Sequence, residues 1–177
     1  MSEKSFCLTN NVREERPGDA GPIARVHRAA FGRDGEAELV ERLRERGLIA
    51  ASVVAEIGSE IVGSAVFSRI EIRLADGETR VAVALAPVAV DPACRRSGFG
   101  DRMIRAGLAL CADCGYESVF VLGDPSYYGR FGFSTALTAT LKSAYRGPHW
   151  MALELRNAAL SGLHGEVEYP PPFAGVH

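Results

Sequence analysis

Cysteine is scarce in this chain, tryptophan occurs once, and neither sign of charge is in excess: 4 Cys, 1 Trp, and 20 Lys plus Arg against 22 Asp plus Glu among 177 residues. Each scarcity excludes a class. The thiols at 7, 94, 111 and 114 follow no secreted-scaffold spacing, and Cys111-x-x-Cys114 has no second pair to complete a zinc site, so both are read as small core residues one helical turn apart. A net charge of -2 provides no field to draw the molecule onto nucleic acid or anionic lipid, so an anionic ligand must be gripped locally. The longest apolar run, residues 81–90, carries a proline and falls well short of the roughly 18 residues of a spanning helix. The opening MSEKSFCLTN is polar and lacks the apolar stretch of a secretory signal, so a cytoplasmic location without membrane contact is expected.

What is present suits a globular protein. Hydrophobic residues make up 47% and charged residues 24%, and a chain of this length buries about 70% of the surface its unfolded form exposes. No repeat or linker divides it. Residues 1–10 read as a flexible tail and residues 11–177 as one domain.

Hydrophobic periodicity gives the element order. A short strand near Val12 to Arg16 precedes a helix that Asp19 can cap, with Pro22 in its first turn and Ile23, Val26, Ala30 and Phe31 on one face. The loop GRDGE leads to a second helix on which Leu39, Val40 and Leu43 are apolar, ending at Gly47. Three extended runs, 52–57, 61–74 and 79–90, are separated by Gly58-Ser59 and Asp76-Gly77, which are hairpin signals, so an antiparallel meander follows. Residues 97–114 return to helical period with Phe99, Met103, Ala106, Leu110 and Cys114 as the stripe. Residues 117–122 read as a buried strand, parallel to the strand before the helix because a crossover joins them. Tyr127 and Tyr128 fall on a short turn after Pro125, and 151–156 reads as the last strand of a mixed α/β sheet.

The strongest chemical signal is VAVDPACRRSGFGDRM, residues 88–103, in which a strand passes through a glycine-containing loop directly into a helix. The first amides of a helix have no internal acceptor and stand at the positive end of its dipole, so they bind phosphate oxygens. Gly98 and Gly100 admit close approach of a diphosphate, and the guanidinium groups of Arg95 and Arg96 add charge beside the amides. The third glycine of a dinucleotide fold and the Gly-Lys-Ser/Thr of a nucleotide loop are both missing.

Arg95-x-x-Gly98-x-Gly100, preceded by LAPVAVDP and followed by Tyr128-Gly-Arg-Phe-Gly-Phe133, resembles the acyl-CoA-binding signature of the GCN5-related N-acetyltransferases, and the likeness extends over nearly the whole chain. The LGDPSYYGRFGF stretch and the closing GEVEYPPPF resemble a bacterial branch whose acceptors are mostly unassigned. The resemblance implies an α+β fold with a mixed sheet of about six to seven strands and about four helices. It implies acetyl-CoA as cosubstrate, an amine acceptor and no metal, and it leaves homodimer formation open. Val88, Ala89 and Val90 then match the strand that pairs with the pantetheine arm. Arg95, Arg96, Ser97, Gly98, Phe99, Gly100 and Asp101 match the pyrophosphate site, and Tyr128 the tyrosine that protonates the departing thiolate. Where relatives often carry asparagine seven residues before that tyrosine, this chain has Val121.

No Gly-x-Ser-x-Gly elbow or Cys and His constellation is present, so direct transfer is expected in place of a covalent enzyme intermediate. An acyl-CoA-binding sensor of the same fold is the alternative. His27, His149, His164 and His177 show no metal-ligand spacing. Glu36, Glu38 and Glu41 read most simply as the solvated face of the second helix, with Glu36 a candidate for acceptor contact because the preceding loop borders the acceptor cleft in the family. As general base, Glu36, Glu71 and a water chain are the alternatives, and the water chain is favoured.

Overall fold

The computed structural model describes residues 10–176; the expected tail lies outside it except for Asn10, which opens the first strand. In chain order the elements are β1 (Asn10–Glu14), α1 (Ala20–Phe31), α2 (Gly35–Glu45), β2 (Ile49–Ile57), β3 (Glu60–Leu74), β4 (Thr79–Val90), α3 (Phe99–Asp113), β5 (Ser118–Leu122), α4 (Pro125–Tyr128), β6 (Leu141–Lys142), β7 (Trp150–Glu154) and β8 (Gly165–Glu168). The sheet order is β1-β2-β3-β4-β5-β7, antiparallel except for the β4–β5 pair, as the crossover through α3 requires. Eight strands exceed the expected six to seven. Of the short ones, β6 and β8 pair parallel with each other, and β8 also pairs with residues 71–74 of β3. Two and four residues carry no readable alternation, and their pairing exists only because β3 outruns β2.

Alternation in the central strands sends neighbouring side chains to opposite faces. Val53, Phe67, Val83, Leu85, Val119 and Val121 join one core with α3, while Ile70, Ala82, Ala84 and Phe120 join another with Leu39 and Leu43 of α2. Val54 and Val66 pack with Ile23 and Val26 of α1. Buried on both faces, β4 therefore reads as a continuous apolar run.

Three local expectations are corrected. Asp19 occupies the N-cap of α1 but makes no capping bond. Its carboxylate instead accepts from Arg13 Nη1 (2.8 Å) and the Arg16 amide (2.7 Å), tying the helix start to β1. Phe31, expected inside, is 41% exposed, because it lies at the end of α1 where the sheet no longer covers it. The buried face of α3 is Phe99, Met103, Ile104, Gly107 and Cys111, not the stripe through Ala106 and Cys114. A Cβ at Gly107 would sit 2.0 Å from the Phe67 ring, so the helix turns its glycine to the sheet where the aromatic protrudes. Cys111 is thus buried, with its thiol pushed up to about 12 by desolvation, whereas Cys114 is exposed.

One irregularity prepares the site. Between the pairs Ala65↔Val88 and Phe67↔Leu85, β3 contributes one residue and β4 two, Ala86 and Pro87. This is a β-bulge at a residue that has no amide proton to give. Parallel pairing to β5 covers only Val83↔Val119 and Ala84↔Phe120. Past Ala84 the two strands have no ladder between them, so β4 residues 85–90 face an opening in the sheet.

Candidate active site

The loop between β4 and α3 forms one side of that opening. Asp91 accepts from the Ala93 amide (2.9 Å) and starts a short turn, and the Ser97 hydroxyl donates to the Cys94 carbonyl. Arg96 (φ 64°) and Gly98 (φ 81°) both adopt left-handed backbone, which turns the chain so that α3 begins at Phe99. A glycine takes that conformation without penalty, and arginine does not. The first helical bond runs from the Arg102 amide to the Gly98 carbonyl (3.1 Å), so the amides of Phe99, Gly100 and Asp101 have no acceptor within the helix. They open on a hollow of about 430 Å³ lined by the loop and by Val90, Tyr127 and Arg130.

All seven loop residues singled out in the sequence, Arg95 to Asp101, line this hollow. Their roles differ. The Arg95 guanidinium donates to the Ala30 carbonyl (3.0 Å) at the end of α1, which leaves Arg96, exposed at the rim, as the freer cation. The Asp101 carboxylate would repel a phosphate, but Tyr127 Oη (3.0 Å) and Arg130 Nη2 (3.2 Å) both donate to it. Arg130 also stacks 4.4 Å from the centre of the Tyr127 ring. Burial, and secondarily the bond to Asp101, push the Tyr127 hydroxyl above its usual pKa. Arg130 escaped the sequence reading although it stands inside the quoted motif, because only the fold brings it beside Asp101.

Further back along β4 lies a cleft of about 330 Å³, which Val88, Tyr128 and Glu36 share. The side chain of Ala89 turns into the α1 core, while its strand neighbours Val88 and Val90 line the cleft and the hollow respectively. Asp124 caps α4 by accepting from the Ser126 amide (2.9 Å), with Pro125 in the first turn. That single turn directs Tyr127 to the hollow and Tyr128 to the cleft. The Tyr128 ring lies flush on Gly123, where a Cβ would come within 2.3 Å, and edge-on to Phe133 at 5.9 Å. Its hydroxyl makes no hydrogen bond to the described residues, and burial raises its pKa. Val121 is a core residue.

Glu36, read as solvated, is buried, with a side chain only 6% exposed. Arg33 grips it through Nη2 (2.5 Å) and Nε (3.1 Å). Burial alone would raise the carboxyl pKa, but these bonds and the Arg33 charge hold it below the usual value, so it is ionised. Glu71 lies exposed on β3 opposite Glu168, outside the cleft. Tyr145, Tyr169 and Phe173 also line the cleft and were not singled out in the sequence: Tyr169 and Phe173 stand in the quoted GEVEYPPPF stretch, which gives no sign of what it faces, and Tyr145 in a segment after β6 without a motif. Among the described residues no group of three or more His, Cys, Asp or Glu is placed to hold a metal, and no helix is long and apolar enough to cross a membrane.

A sheet that parts beside a free helix start, with a tyrosine in the gap, is the architecture of an acyl-CoA-dependent acetyltransferase. The family model of the acetyltransferase (GNAT) domain matches residues 11–136, and the chain belongs to the GNAT family. It is 35% identical over 165 residues to the Escherichia coli K12 protein YhbS, described as an uncharacterized N-acetyltransferase, covering 92% of this chain and 97% of that one. The crystal structure of YhbS in complex with CoA superposes with a TM-score of 0.85, covering 96% of this chain and 94% of that one. A GNAT acetyltransferase of Brucella melitensis in complex with acetyl-CoA, 31% identical, gives a TM-score of 0.78 with 94% and 99% coverage.

Proposed function

We propose that the protein transfers acetyl from acetyl-CoA directly to a primary amine within a ternary complex. The observation that carries this reading is the succession of two hollows along β4, one faced by the free amides of Phe99, Gly100 and Asp101 and the other by Tyr128, whose hydroxyl has no partner among the described residues. The diphosphate is held by those amides with Arg96, and the pantetheine amides pair with the free edge at Val88 to Val90 in place of the missing β5 ladder. The acetyl group then lies beside Tyr128. The amine nitrogen attacks the carbonyl carbon, the carbon–sulfur bond breaks, the nitrogen loses a proton to water, and the thiolate takes the Tyr128 proton.

The acceptor reaches the site as an ammonium and must first lose a proton. At pH 7 an amine of pKa about 10.4 is neutral in roughly one molecule in 2,500. The Glu36 carboxylate is already engaged by two bonds from Arg33, so we assign the proton to water and through it to bulk solvent. We expect kcat/KM to rise with pH toward the acceptor's own pKa. That limb should persist in Glu36→Gln, whereas a roughly hundredfold loss of kcat together with disappearance of a limb at about pH 6 to 7 would make Glu36 the base.

Calorimetry tests the cofactor site. Any side chain at Gly98 must adopt left-handed backbone, although among the described residues no atom beyond its chain neighbours and the adjoining helix backbone lies within 4 Å of its Cβ position. Gly98→Val is therefore expected to fold while displacing the amides, weakening acetyl-CoA binding more than tenfold, about 1.4 kcal/mol. Unchanged affinity in the folded variant would remove the diphosphate from this loop. Free CoA released over many cycles with an amine separates a transferase from a sensor of the same fold.

A further inference from the structure

The acceptor half of the cleft is unusually poor in charge. Among its described lining residues Glu36 alone is ionisable to a charged form at neutral pH; the rest are aliphatic, aromatic or phenolic. Tyr145 and Tyr169 stand edge to face with ring centres 4.6 Å apart, and Tyr169 and Phe173 at 5.3 Å. Trp150 Nε1 donates to the Tyr169 hydroxyl (3.0 Å) and holds that ring in place. Such a wall is rigid and presents ring surface to an apolar body or an organic cation.

These features select among amines. A phosphate or carboxylate on the acceptor would meet Glu36 and no lining cation, and a second ammonium would be desolvated without a counter-charge. The volume of about 330 Å³ lies at the low end for small-molecule sites, and it must also admit the acetyl end of the thioester. Resting on the acetyltransferase reading above, we infer that the acceptor is a small monoamine with an aromatic or aliphatic body and no second charged group. Glu36 receives its ammonium, and the Tyr145, Tyr169 and Phe173 cluster receives its body. The reaction balances: the ammonium gives one proton to water, the nitrogen–carbon bond forms as the carbon–sulfur bond breaks, the nitrogen of the adduct gives its second proton to water, and the thiolate takes the Tyr128 proton, which solvent replaces. One proton is released per amide formed.

The test measures CoA release by chromatography over many turnovers with phenethylamine, hexylamine, spermidine and a lysine-containing peptide. Both monoamines are expected to show kcat/KM at least tenfold above spermidine and the peptide. Glu36→Gln should raise KM for hexylamine tenfold or more, with a smaller change in kcat and an unaltered Kd for acetyl-CoA. Because Glu36 is buried, a second variant uses Leu122, which lines the cleft and is 52% exposed. Leu122→Glu adds a carboxylate at the mouth without disturbing the core, and should shift the preference toward spermidine tenfold or more relative to hexylamine. Spermidine or peptide used as well as the monoamines, no turnover of either monoamine, or no shift in Leu122→Glu would each overturn the substrate class. In those cases acetyl-CoA binding by calorimetry is retained, whereas its absence in the unaltered protein overturns the acetyltransferase reading itself.

Discussion

Replacing Tyr128 with phenylalanine is expected to lower kcat ten- to a thousandfold, about 1.4 to 4 kcal/mol of transition-state stabilisation, and to leave acetyl-CoA binding nearly unchanged. The size follows from proton affinities. A phenol near pKa 10 is a weaker acid than a thiol near 8.5, so transfer to the departing sulfur is uphill by about 2 kcal/mol before the site acts. Burial pushes the Tyr128 hydroxyl higher still, which keeps it protonated throughout the working range. The same desolvation raises the proton affinity of the thiolate, and this is what makes the donor useful. Phenylalanine preserves the contacts of the ring with Gly123 and Phe133, so folding is not the variable. Steady-state kinetics with acetyl-CoA in excess reads the loss, and full activity would make Tyr128 a packing residue.

The second large effect concerns stability against pH. His27 is fully buried between α1 and β3, with Nε2 3.1 Å from Ser64 Oγ and Nδ1 without a partner among the described residues. Desolvation lowers its pKa from 6.5 to about 4, outweighing the Glu36 charge, which acts to raise it. The unfolded chain therefore binds this proton at higher pH than the folded one does. Stability should be level above pH 6.5 and fall as pH drops toward 4, by about 3 kcal/mol. The carboxylates held low by cation partners, Asp19 and Glu36, lose their contribution in a more acidic window. Urea unfolding across this range checks the prediction. His27→Gln should flatten the curve between pH 6.5 and 4, and an unchanged slope would assign the loss to other groups.

The loop proposed to hold the cofactor was legible as a structure because its geometry is local. Free amides, left-handed glycine and the strand before them belong to one stretch of chain, and a helix start has the same orphan donors in any fold. Hairpins at Gly58 and Gly77 were readable for the same reason: each dipeptide determines its own turn. The acceptor side was not. Glu36 looked solvated because nothing in α2 announces the aromatic segments that cover it, and Tyr145, Tyr169 and Phe173 reach the cleft only when β6, β8 and β3 pair across more than ninety residues. Arg130 reads as a surface charge until Asp101 lies beside it.

By itself, then, the sequence determined the family, the order of the main elements, the glycine loop that ends in free helix-start amides and the short turn that carries Tyr128, since each is encoded by neighbours along the chain. Tertiary structure alone decided the shape and polarity of the cleft proposed for the acceptor, the burial of Glu36 and His27, and the face that α3 turns to the sheet. Those depend on which surfaces meet, and the energy of burying a group is set by what covers it, whatever its neighbours in the sequence.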